Sequence, residues 1–232
     1  MSVCYKVNVV NLEKRAKMDR GPETRSERIK KASRHRREHE KEELRQTILK
    51  EAGELFLEQG YDRFSMRQLA ERIGYSVATP YLYFRDKDDL LFTVVDEGFA
   101  RFKQQLAEAA GSSDDPWERL FALGQAYVRF GLRNPVYYQL MFMWRSDFLT
   151  KSATGEQSPR LEAFRILQDA VRYAMEAGAM EKGDVETYGD VLWATMHGVV
   201  ALAINIPMFD SERVRKLTIL MREMIAKAFK KV

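Results

Sequence analysis

The chain has 232 residues, 45% of them apolar and 31% charged, with a mean hydropathy of −0.43. That balance supports a buried core wrapped in charged helix surface and contains no apolar run of about 18 residues that could span a membrane. Met1–Val10 is too short and polar for a secretory leader, and the lone cysteine, Cys4, cannot form an internal disulfide, so a cytoplasmic protein is expected.

The net charge of +4 is uneven: residues 1–45 hold 14 Lys/Arg against 8 Asp/Glu, whereas residues 91–232 balance 18 against 18. A basic front half suits a polyanion, although a solvated tail accounts for it equally well. Residues 1–33 are poor in apolar side chains and broken at Gly21-Pro22, and read as a disordered basic arm that can join the first helix near its end. Its arginines, with Arg34, Arg36 and Arg37, either reach a nucleic-acid groove or stay solvated.

Leu44, Ile48, Leu49, Ala52, Leu55 and Phe56 then recur at helical spacing up to Gly60, a candidate C-terminal cap. Ser65 and Ser76 are placed to cap two short helices, and Asp86 to cap a longer one over 87–109. Pro116 opens a helix to Arg133, Pro135 another through Trp144, and Ser158-Pro159 one to Ala177; Thr150–Gln157 is a loop. Asp184 caps a helix to Asn205, and Ser211 caps the last, to Lys230. The expected fold class is all-α, about nine helices. The divisions are 1–33 for the arm, 34–86 for a helix-turn-helix domain and 87–232 for a larger helical domain.

The stretch Phe64–Phe84 carries the chemistry. Met66, Leu69, Ala70 and Ile73 line one face of a short helix, Gly74 supplies a turn, and a second helix starts near Ser76. This is helix-turn-helix spacing, which a plain helical hairpin shares. Thr79, Tyr81 and Tyr83 carry hydroxyls that can reach phosphates or base edges, or can simply leave the hydroxyl of a packed ring wet. Lys87 sits at a helix N-terminus, where a cation is disfavoured unless an anion is bound there.

Ser65-x-Arg67-x-Leu69-Ala70, Gly74-x-Ser76, Thr79-x-Tyr81-x-Tyr83-Phe84 and Lys87-x-x-Leu90 resemble the DNA-binding domain of TetR-type regulators over roughly residues 40–95. The resemblance implies that Arg67, Ser76, Val77, Ala78, Thr79, Tyr81 and Tyr83 face DNA and that Lys87 holds a phosphate. Pro80 stands where the family usually has Leu or Ile. It implies either a distorted first turn or a helix that begins nearer Pro80.

Residues 116–205 are rich in aromatic and Met side chains, which fill a core and also line adaptable pockets. By resemblance a small effector binds there, with Phe121, Met141, Phe142, Trp144, Phe164, Trp193 and His197 as candidate lining residues. Trp193…His197-Gly198 is similar to the Trp-His-Gly signature of one TetR subgroup. His197 either meets an effector or satisfies a neighbour, and Ala194, Gly198 and Ala201 permit a close helix approach, which suits a dimer seam as well as an internal crossing. Apolar faces on the last two helices suggest a homodimer.

No catalytic motif or zinc spacing is present, and His35 and His39 lack a third ligand, so no enzyme, metal or cofactor is expected. The expected function is a DNA-binding repressor released from a palindromic operator by a small molecule. A helical adaptor whose DNA binding is weakened by Pro80 is the alternative.

Overall fold

The computed structural model describes residues 24–144 and 159–230. Cys4, the front of the arm and the 150–157 loop therefore lie outside the described residues. Among those described there are nine α-helices and no strand: α1 Arg25–Arg63, α2 Met66–Ile73, α3 Ala78–Tyr81, α4 Lys87–Ala110, α5 Pro116–Arg133, α6 Pro135–Gln139, α7 Pro159–Glu176, α8 Val185–Asn205 and α9 Ser211–Phe229. A π-helical turn, Leu140–Trp144, follows α6. The chain forms two compact units that divide between Thr47 and Ile48.

In the first unit the irregular arm expected through residue 33 is corrected, because helix begins at Arg25. Its support is polar. Thr24 N–H donates to Glu27 Oε2 (2.7 Å) while Glu27 N–H donates to Thr24 Oγ1 (3.3 Å), a reciprocal cap. Arg34–Glu38 (3.1 Å), Arg36–Glu40 (3.5 Å) and His39–Glu43 (3.4 Å) then pair one turn apart.

The second unit is built around α4. Leu90, Leu91, Val94, Phe99, Phe102 and Leu106 on α4 are at most 4% exposed, and the helix packs mainly on α5 and α7. Each such side chain contributes about 1.5–3 kcal/mol by leaving water. At the front, Phe56 stacks on Phe64 with centroids 4.0 Å apart, and Leu69 and Ala70 are fully buried beneath α2.

Ser65, Asp86, Asp115 and Asp184 cap α2, α4, α5 and α8, each accepting from the backbone N–H three residues on. Three expected helix ends are corrected. Gly60 (φ 77°, ψ 166°) breaks α1, but a further turn follows it to Arg63. Ser76 caps nothing: its hydroxyl pairs with Thr79 Oγ1 (3.1 Å), and Val77 stands at the N-cap of α3. Asp210, rather than Ser211, caps α9 by accepting from Arg213 N–H at 2.8 Å. Of the dimer seam and the internal crossing that the small residues near Gly198 allow, the internal crossing does not use Gly198. A Cβ at Gly198 would meet nothing within 4 Å, whereas one at Gly131 would lie 2.3 Å from Val200 Cγ1. The tight α5–α8 approach therefore belongs to Gly131.

Candidate nucleic-acid interface and effector cavities

Helix α2 is held on the end of α1 by one guanidinium. Arg72 reaches Glu51 (2.8 Å), Glu54 (2.8 Å) and Glu58 (2.7 Å). Its hydrogen bonds hold the Glu51 and Glu58 carboxyls below their usual range, and theirs raise the guanidinium further. Gly74 (φ 75°, ψ 28°) ends α2 in the left-handed region, and its N–H reaches back to Ala70 and Glu71.

The chain then makes one tight turn. Thr79 N–H donates to Ser76 O (2.9 Å), Leu82 N–H to Thr79 O (3.1 Å) and Phe84 N–H to Pro80 O (3.0 Å). Thr79 thus takes the carbonyl that an N–H at position 80 would have used, so Pro80 leaves no acceptor stranded there. The regular helix starts two residues before Pro80, and Pro80 itself is buried. With Phe84, 3% exposed, it anchors the turn from below. Above them Tyr75, Val77, Tyr81 and Leu82 are 45–78% exposed, Ala78 and Ser76 are exposed, and Thr79 and Tyr83 are half-buried. Arg67 is exposed on α2 and pairs with Glu71 at 3.0 Å. Lys87 Nζ donates to Tyr61 O (3.3 Å) and lies 3.9 Å from the Tyr61 ring centroid. A cation at this helix N-terminus thus has an intramolecular partner, where the sequence suggested only an anion.

Two buried tyrosines of the back half join half-buried Trp193 and His197 in one chain of hydrogen bonds. Trp193 Nε1 donates to Tyr127 OH (2.9 Å), Tyr127 OH lies 2.9 Å from Tyr138 OH, and Tyr138 OH lies 2.6 Å from His197 Nδ1. Burial pushes both phenols up and His197 down, so all stay neutral near pH 7. The arrangement that satisfies every member has each hydroxyl donating onward to an unprotonated Nδ1. Phe142 packs against this group, its centroid 5.0 Å from Tyr138 and 6.0 Å from His197.

Two cavities flank the group. One of about 160 Å3 lies among α5, α8 and α9, lined by Phe121, Met196, Val199 and Ile225 with Gln125, Thr218 and Arg222 as its polar residues. Arg222 is already matched, bonded to Glu118 (2.7 Å) and lying 4.1 Å from the Phe121 ring centroid. A second, about 20 Å3, is lined by Phe102, Tyr127, Phe164 and Trp193 among others.

Residues 48–94 match the family model described as bacterial regulatory proteins, tetR family, and residues 120–226 match a tetracyclin repressor-like C-terminal domain. The chain belongs to the TetR family. It is therefore a TetR-family transcriptional regulator with a DNA-binding domain. It is 35% identical over 86 residues to the HTH-type transcriptional regulator HbdR of Aromatoleum sp. (strain CIB), a match covering 37% of this chain and 38% of HbdR, less than two thirds of that relative. A protein of unknown function from Rhodococcus sp. RHA1 superposes with a TM-score of 0.65 at 26% identity, over 81% of this chain and 95% of that one. A TetR family transcription regulator from Marinobacter aquaeolei VT8 has the same fold, with a TM-score of 0.67 at 17% identity over 84% of this chain and 100% of its own.

Within this TetR-family chain the candidate DNA-facing residues gather on one short turn, apart from Arg67 on α2 and Lys87 on α4. The candidate effector residues are divided. Phe121 lines the larger cavity, and Phe164 and Trp193 line the smaller. Met141 is 1% exposed and sits where a Cβ at Gly98 would approach its Sδ to 2.7 Å. Trp144 packs 6.0 Å from Phe56, centroid to centroid, and His197 belongs to the hydrogen-bonded chain. Sequence reasoning missed Arg72, Tyr127 and Tyr138 as organising residues. Their partners stand as many as 70 residues away, beyond the reach of any local pattern.

Proposed function

We propose that this chain is a homodimeric repressor that reads a palindromic operator with the turn Ser76–Tyr83 and is released by a mainly apolar small molecule. The observation that carries the reading is the exposed row of Tyr75, Val77, Tyr81 and Leu82 above a buried Pro80–Phe84 anchor. Large side chains held out of the core on a helix-turn-helix are suited to base edges and phosphates. Exposed apolar residues on and just after the last two helices, Val191 and Leu202 on α8, Ile206 at its C-cap, and Leu220 and Met224 on α9, support dimerisation. The open space at Gly198 suits the approach of a partner helix there. The larger cavity supports the ligand class, because its lining is chiefly apolar.

Duplexes tiled from DNA flanking the chain's own gene, titrated by fluorescence anisotropy against competitor DNA, test this reading. One twofold-symmetric duplex is expected to bind selectively, and Tyr81→Ala to weaken it about tenfold or more. Equal binding to all duplexes sinks the operator reading, and no binding to any supports the adaptor.

A further inference from the structure

The N-terminal helix segment 25–47 precedes the first residue matched by the family's DNA-binding domain, Ile48. From Arg25 to Arg37 it holds seven Lys/Arg and one Glu, and every residue but Ser33 is exposed. This stretch buries no apolar face, so packing does not explain it.

Steps of four, three and four residues place Lys30, Arg34, Arg37 and Lys41 on one face. At 100° per residue they form a band about 60° wide and about 16 Å long. The opposite face differs. There Arg25, Arg28 and Arg36 run into His39 and Glu43, which pair at 3.4 Å. Like charges three and four residues apart repel on a helix, so elementary electrostatics disfavours the band. The reciprocal Thr24–Glu27 cap nevertheless keeps the segment helical. A ligand that removes this penalty is a polyanion with charge distributed along its length. Duplex DNA presents roughly nine phosphate charges over 16 Å of axis.

We propose that the Lys30–Arg34–Arg37–Lys41 band is a second DNA-binding site, holding the phosphate backbone without reading sequence. This rests on the chain binding DNA as proposed above. Arg34 would exchange its exposed partner Glu38 for a phosphate; both side chains are more than half exposed, so the pair holds weakly.

The test compares the full-length parent chain with Lys30→Gln/Arg34→Gln/Arg37→Gln. A control, Arg25→Gln/Arg28→Gln/Arg36→Gln, removes the same charge from the opposite face. Glutamine keeps helix propensity, and far-UV circular dichroism checks helicity. Binding to the operator duplex and to a scrambled duplex is measured by anisotropy from 50 to 300 mM KCl. The band variant is expected to lower the slope of log affinity against log salt by about 2–3 per bound protomer, at about 0.9 per phosphate contact. Both duplexes should weaken by the same factor, so that their ratio is unchanged. An unchanged slope overturns the proposal, as does an equal loss in the control. An unchanged slope with lost sedimentation on phosphatidylserine vesicles reassigns the band to a membrane surface and also overturns it. If the parent chain retains salt-dependent binding but shows no preference between duplexes, the operator reading fails and the band still stands on its slope. If the parent chain binds neither duplex, both fall.

Discussion

Replacing Gly131 by Ala tests the α5–α8 crossing with an outcome whose sign depends on its partner. The new Cβ would stand 2.3 Å from Val200 Cγ1, 3.0 Å from Val200 Cγ2 and 3.1 Å from Tyr138 Cδ2. Two effects oppose each other. Ala in place of Gly inside a helix gains about 1 kcal/mol. Overpacking a tight core costs about 1–3 kcal/mol. The upper end applies here, because Val200 and Tyr138 are fully buried and a valine on a helix is nearly confined to one rotamer. The net expectation is a loss of about 1–2 kcal/mol, or roughly a 5 °C fall in Tm for a domain of this size. Removing the two methyl groups changes the balance. In a Val200→Ala background the same Gly131→Ala change should be close to neutral or stabilise by up to about 1 kcal/mol, since the Val200 clash is gone and only the 3.1 Å approach to Tyr138 opposes the propensity gain. Urea unfolding of all four proteins, followed by far-UV circular dichroism at one fixed protein concentration, gives the coupling. Equal destabilisation in both backgrounds would refute the assignment of this crossing to Gly131 and Val200.

Three further outcomes follow from the interface and the hydrogen-bonded chain. Arg72→Ala releases three carboxylates at once and should cost about 1–2 kcal/mol, seen first as faster amide exchange in α2; unchanged exchange there would count against the clamp. Because Glu51 is held below its usual range by Arg72, the clamp's contribution is present above the unfolded carboxylate value and is lost as pH falls through the lowered one. His197 is likewise lowered, by burial, so its contribution is complete above about pH 6.5 and declines as pH falls below that value. His197→Gln should flatten the fall in stability below about pH 6.5, and an unaltered profile would show that His197 does not titrate on unfolding. Pro80→Ile should lose about 0.4–1 kcal/mol, chiefly through a freer unfolded chain, since Thr79 already occupies the Ser76 carbonyl; a rise in Tm would contradict this.

Helix caps were legible in the sequence where the cap bond is local. Ser65, Asp86 and Asp184 each accept from a residue three positions away, and that spacing can be read directly. Ser76 misled for an equally local reason: Thr79 captured both its hydroxyl and its carbonyl. The start of α1 was missed because apolar periodicity was the signal sought, and Arg25–Arg37 is sustained by a cap and ion pairs instead. The back half was legible in kind but not in arrangement. Aromatic and Met enrichment marks a packed bundle, yet which rings meet depends on helix register across α5, α6 and α8. Nothing near Gly131 in the sequence points to Val200, and nothing near Trp193 points to Tyr127.

The hydrogen-bonded chain in the bundle has a fixed sense. Indole nitrogen can donate but cannot accept, so Trp193 sets Tyr127 as an acceptor on that side, and the remaining protons point toward His197. Protonating His197 at Nδ1 would make donors of both ends, and one of the two phenol protons would then have no acceptor within the chain. The protonation state of an imidazole on α8 and the orientation of a phenol on α6 are therefore a single variable. It can be passed between helices by proton positions alone, with no heavy atom displaced.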